Sequence, residues 1–202
     1  MLDAARTPVI VGAAQITDTT TPPAQARSPL GLLVDAARAA AADAGAPTLL
    51  REIDSLVVVR LFADSSPRFK SPFGRMVNPP WSVARRIGAS PRELIYTPGG
   101  GNMPQVMLNR ACERIARGEA SAVLLAGAEA LRTELAAKRA GLALDWNEDA
   151  PRAPEELGGH RMGYSDHEAA HGIRAALNVY PLFEQAIRGA RSRSLAQHRA
   201  AL

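Results

Sequence analysis

The sequence holds a single cysteine, Cys112, among 202 residues. One thiol excludes an internal disulfide framework and a zinc centre built on cysteines, and it suits a reducing compartment. Aromatic residues make up only 4% of the chain against 47% hydrophobic residues overall. A core must therefore come from Ala, Val, Leu and Ile, side chains that suit helices packed closely on a parallel sheet. No apolar run approaches the roughly eighteen residues of a membrane span. The start, MLDAARTP, lacks a charged region followed by an apolar one, so a soluble cytoplasmic protein is expected. Neither sign of charge dominates: 24 Lys and Arg face 20 Asp and Glu, a net charge of +4. The one basic concentration, Arg188, Arg191, Arg193 and Arg199 with His198, carries no interleaved aromatics. It reads as a solvated helix face and not as a nucleic-acid surface.

Two catalytic signatures are also missing. There is no G-x-x-x-x-G-K-[ST] for nucleotide phosphates and no G-x-S-x-G for a serine hydrolase. HEAAH, from His167 to His171, matches H-E-x-x-H in letters, but Gly172 follows at once and weakens the helix a zinc site needs. His160 and His198 stand apart from it, and no metal site is expected.

What the chain does contain is organised around residues 93–130. Leu94 to Thr97 is a short apolar run stopped by Pro98, Gly99, Gly100 and Gly101. A helical period then runs from Pro104 to Arg117 and ends at Gly118, and Ser121 to Ala126 is a second apolar run. Strand, glycine turn, helix and strand make one βαβ unit with parallel strands as neighbours or near neighbours. At about 100° per residue, Met107, Leu108, Ala111, Cys112 and Ile115 share one helix face, opposite Asn109, Arg110, Glu113, Arg114 and Arg117. Pro104 suits the first turn, with Asn102 or Gly101 as the cap before it. Two readings of the glycines stay open. They form a tight turn that needs positive φ, or they bring bare backbone to a helix N-terminus whose free N–H groups favour an anion or a developing oxyanion.

Thr7 to Ala14 (TPVIVGAA) reads as the first buried strand and Ile53 to Arg60 as another. Ser28 and Pro29 open a helix that Gly45 closes, and Asn78, Pro79 and Gly88 bracket a shorter one. Residues 61–78 read as a long loop. Leu131 to Gly141 is expected to be helical, followed by an extended loop or lid. Ser165 with Glu168 is a capping box, and Pro181 opens a last helix running to about Arg199. The residues alone thus predict an α/β fold, a mainly parallel sheet flanked by helices.

GGGNMPQ followed by IARGE, a run of small apolar residues and GAEA resembles the thiolase superfamily. The likeness is to the atypical acetyl-CoA acetyltransferase branch, close to the sterol-carrier-protein type. TPVIVGAAQIT, IDSLVVVR, VARRIGAS, YPLFEQAIR and SLAQHRA extend the resemblance over nearly the whole chain.

That resemblance implies a thiolase-like N-terminal half at residues 1–130 and part of a helical loop domain at residues 131–202, with a second half absent. It implies coenzyme A or acyl-CoA as ligand, with no bound cofactor, and Claisen condensation or its reverse as the chemistry. Gly99, Gly100, Gly101, Asn102 and Met103 are the substrate-binding candidates. In thiolases the nucleophilic cysteine sits where this chain has Gly101, so the catalytic residue is unknown and Cys112 is expected to be a core side chain. Phe62, Phe69, Phe73 and Arg75 are interface candidates, the partner being a second thiolase-like chain in a homo- or hetero-oligomer such as a dimer. Three functions stay open: an acyl-CoA acyltransferase completed by a partner, a non-catalytic subunit that binds acyl-CoA or a partner, and a truncated chain.

Overall fold

The structure, a computed structural model, describes residues 6–157 and 164–202. Contacts divide the chain into two compact units, Met1–Gly159 and His160–Leu202. The expected boundary after residue 130 does not coincide with that division, because the segment after it packs into the first unit. Thr133 and Glu134 are buried there, and Trp146 and Glu148 donate backbone N–H groups to Phe73 O and Arg75 O.

The first unit is built on a four-stranded, all-parallel sheet. Its strands are β1 (Ser55–Val58), β2 (Glu93–Tyr96), β3 (Val123–Ala126) and β4 (Glu155–Glu156), in spatial order β3-β1-β2-β4. β1 is central, with Leu56 opposite Leu94 on one side and Leu124 on the other. Asp54 sets that register at the strand entrances. Its carboxylate accepts the Ser121 N–H (2.6 Å) and Ala122 N–H (3.2 Å) ahead of β3, and takes Arg92 Nη2 (2.8 Å) ahead of β2. These bonds, the Ser121 amide first, hold its carboxyl below the usual range.

The two faces of the sheet are covered unequally. Against one lie α1 (Pro29–Asp43) and α2 (Pro79–Ile87), forming a core of Leu30, Leu33, Leu56, Val58, Val83 and Tyr96 among others. On the other, α3 (Met103–Ala116) contributes Met107 to a small cluster with Val57 and Ile95. Local chemistry sets these helix ends. Ser28 Oγ accepts the Gly31 N–H ahead of α1, and Asn78 Oδ1 accepts the Trp81 N–H ahead of α2. Gly45 and Gly88 close them in left-handed backbone. The Arg114 side chain is not splayed into solvent with its neighbours on the polar face of α3; it is largely covered and paired with Glu93.

Thr7 to Ala14 is not a strand. Its run fits a pleated surface by propensity, but pairing is a tertiary event. Here the segment lies along the C-terminal turns of α1, with Ala13 N–H on Asp43 Oδ2 (2.9 Å) and Gly12 against Ala40 O. Val9, Ile10 and Val11 stand 69%, 73% and 58% exposed. The expected loop at 61–78 contains short 3-10 turns at Phe62–Asp64 and Pro67–Phe69. Phe62 and Phe69 are exposed and stack on each other, whereas Phe73 is buried edge-on against Trp146 and is no interface side chain. α4 (Leu131–Arg139) follows β3 as predicted.

The described part of the second unit has three helices, α5 (Asp166–Ala170), α6 (Ala176–Ala190) and α7 (Leu195–Arg199). The Ser165–Glu168 capping box is present. Pro181 lies inside α6 and does not open it: the helix already begins at Ala176, and the proline costs it the bond to the Leu177 carbonyl. The expected single helix to Arg199 breaks at Ser192, which has positive φ, and restarts at a second capping box, Ser194 with Gln197.

Candidate functional site

The site predicted from the sequence is the turn between β2 and α3. Thr97, fully buried, ends the strand: its Oγ1 accepts the Arg60 N–H and donates to Pro98 O, both at 3.0 Å. The chain then rises to the surface, where Gly100, Gly101 and Asn102 are exposed and Gly99 and Met103 half-buried. The five residues are contiguous at the mouth of α3, with Gly101 two residues before its first turn. A Cβ on Gly101 would meet nothing within 4 Å, so the space before the helix is open. On Gly100 it would lie 2.7 Å from Asn102 Oδ1. Neither glycine takes left-handed backbone, so a demand for positive φ does not account for them.

The mouth offers fewer donors than three glycines before a helix imply. Asn102 occupies the cap position without a side-chain capping bond. Met103 N–H is turned back onto Gly100 O (3.1 Å), and Pro104 has no N–H. Of the first three helical residues, those facts leave the Gln105 N–H as the outward donor. Such a turn can orient and weakly polarise a carbonyl, and it carries no nucleophile.

Cys112 does not supply one. It lies nine residues into α3, about 14 Å from the mouth at the helical rise per residue. It is half-buried and not a closed core side chain. With Leu108, Ala111 and Ile115 it lines an apolar groove of about 550 Å³ between residues 8–14 and β3.

A second group of residues, which sequence reasoning missed, gathers where β1 and β2 end. Tyr96 OH donates to Asp64 Oδ2 (2.6 Å) and accepts the Leu61 N–H (3.1 Å). Burial first, then the Asp64 carboxylate, pushes the phenol well above its ordinary value, so it stays a donor. Beside it is a cavity of about 250 Å³ whose wall includes Asp64, Glu129, Glu134, Arg75 and Trp146. Glu129 accepts the Phe62 N–H (2.6 Å), and Glu134 is buried against Lys138 (2.7 Å). Burial raises the Glu129 carboxyl above its usual 4.5; the Phe62 amide partly offsets this, and Asp64 and Glu134 add to it. The only sequence signals were a tyrosine ending a strand and a glutamate just past one.

Glu129 gives a pH test. Its folded-state pKa is raised, so between 4.5 and that higher value the folded chain holds more protons than the unfolded one, and stability falls as pH rises through this window. Glu129→Gln keeps an acceptor for the Phe62 amide and removes the titration. Chemical denaturation should show the variant equal to the parent near pH 4 and more stable at pH 7. Parallel curves at every pH would sink that assignment.

The histidines do not assemble a metal centre in the described residues. α5 is five residues long, His171 Nδ1 is bonded to His167 O (2.9 Å), and the Glu168 carboxylate is engaged by Ser165. His198 Nε2 meets Glu184 (2.8 Å). His160 lies outside the described residues. No described helix is long and apolar enough to cross a membrane.

No protein-family model and no curated protein matches the chain. Among solved structures, it is similar to a monomeric SCP2-thiolase-like protein of type 1 from Mycobacterium smegmatis, with a TM-score of 0.68 and 29% sequence identity. The match covers 100% of this chain and 33% of that one, so the chain spans about a third of the length of the structure it resembles. The helix-flanked parallel sheet is a thiolase-like fold.

Proposed function

We propose that this chain binds the thioester end of an acyl-CoA at the Gly99–Met103 turn, as part of a thiolase-like acyltransferase whose reacting thiol is not furnished by that turn. The observation that carries this reading is the open space over Gly101 at the mouth of α3, in a chain of thiolase-like fold. A carbonyl oxygen placed there meets the Gln105 N–H and the positive end of the helix dipole. Binding without turnover by the turn itself is the outcome the residues support, since Gly101 stands where the resemblance puts a nucleophile and Cys112 is three turns away.

A thermal-shift titration with coenzyme A and acetyl-CoA tests it. A ligand at a hundred times its Kd adds about 2.7 kcal/mol. For a protein of this size that raises Tm by roughly 5–10 °C. Gly101→Leu projects into open space and leaves the fold intact, so it should abolish the shift while keeping the unliganded Tm. No shift with either ligand, or an equal shift in the variant, would remove the basis of the proposal.

A further inference from the structure

Arg60 leaves the end of β1 and is held more rigidly than a surface arginine. Its backbone N–H donates to Thr97 Oγ1, its Nε to Thr97 O (2.8 Å) and its Nη1 to Asp64 O (3.4 Å). The guanidinium lies over the Tyr96 ring, 4.5 Å from the centroid. Only 14% of the side chain is exposed. Its outer edge, Nη2, meets Glu156 Oε1 at 2.8 Å, and that glutamate is 56% exposed on the two-residue strand β4. One partner of the ion pair is fixed by four contacts from three residues, Thr97, Asp64 and Tyr96, and the other is attached to a short edge strand.

This pair sits in a cavity of about 500 Å³ at the carboxyl ends of β1 and β2. Open parallel sheets place ligands at that edge. Lys70 and Arg75, both exposed, stand at the same cavity, which also holds the carboxylates of Asp64 and Glu156. Asp64 is turned to the Tyr96 hydroxyl, so Glu156 is the carboxylate that answers Arg60. A preorganised guanidinium with two further cations is a receptor for an oxyanion with several acceptor atoms, and a single monodentate carboxylate fills it incompletely.

We propose that the cavity of Arg60, Lys70 and Arg75 is a phosphate-binding site and that Glu156 is a resident carboxylate which the phosphate displaces. The exchange replaces one ion pair, its arginine largely covered and its glutamate exposed, with contacts from three cations. Because Glu156 holds β4 against β2 through Arg60, an occupied site also loosens that edge strand.

The test is calorimetric titration with inorganic phosphate at constant ionic strength, with acetate as the control anion. Glu156→Gln removes the competitor without adding charge. It should tighten phosphate binding about tenfold, the effect of roughly 1.4 kcal/mol of relieved competition. Lys70→Ala, far from the packed core, should weaken binding, and Arg60→Lys should weaken it further by losing the planar fork; circular dichroism checks that both remain folded. Unchanged phosphate affinity in Glu156→Gln, or acetate binding as tightly as phosphate, would overturn the assignment. The probe carries no thioester, so the outcome is independent of whether the Gly99–Met103 turn binds acyl-CoA.

Discussion

Leu56→Ala should lower the stability of the first unit by about 2–5 kcal/mol. Leu56 is 0% exposed and lies at the centre of the central strand, flanked by Leu94 and Leu124. Its side chain belongs to the cluster that joins the sheet to α1 and α2, with Leu33 and Val83, also 0% exposed, on those helices. Strands on both sides limit collapse into the space left behind, so the cavity cost adds to the lost transfer energy. Against a typical total of roughly 5–15 kcal/mol, such a loss is a large fraction. The denaturant midpoint should fall with an unchanged m-value. Leu94→Ala, on the neighbouring strand and only partly buried, should cost clearly less. Equal costs for the two would mean that the sheet face over α1 and α2 is not the centre of stability.

The same asymmetry explains what could be read in advance. Helix limits written in a few adjacent residues were legible: Ser28 and Pro29 to Gly45, Asn78 to Gly88, and Ser165 with Glu168 all close local hydrogen bonds that need no distant partner. The strands β1, β2 and β3 were legible because an apolar run between turns leaves few alternatives. Thr7 to Ala14 has the same pattern and lies outside the sheet, since a strand exists only where an edge pairs with it. Glu155–Glu156 is the converse case. Two exposed glutamates carry no strand pattern, yet they pair with Ile95 and Tyr96, because pairing uses the backbone and Arg60 holds the side chain.

The candidate site divides along the same line. A glycine turn at a helix mouth is a local feature, and the positions of Gly99 to Met103 followed from the sequence. Whether its amides are free is not local: Met103 N–H closes onto Gly100 O. The network of Arg60, Asp64, Tyr96 and Thr97 joins residues more than thirty positions apart, and no spacing in one sequence announces it.

Gly101→Cys should convert a silent turn into one that takes an acyl group. The introduced Cβ meets no atom within 4 Å, and the backbone there is not left-handed, so the substitution fits without strain. The new thiol sits at a helix N-terminus, where the dipole favours the thiolate. Lowering its pKa by about one unit raises the thiolate fraction at neutral pH nearly tenfold over an ordinary cysteine. Given acetyl-CoA, the thiolate attacks the thioester carbonyl, the oxyanion so formed faces the Gln105 N–H, and collapse expels the coenzyme A thiolate, exchanging one thioester for another. Intact-mass spectrometry in a Cys112→Ser background should therefore show one added acetyl group, released by hydroxylamine. The parent chain, with only Cys112 deep in α3, should remain unmodified at the turn. A folded Gly101→Cys protein whose thiol reacts with acetyl-CoA no faster than a free thiol of the same pKa would show that the turn does not hold the thioester, even if coenzyme A binds elsewhere on the chain.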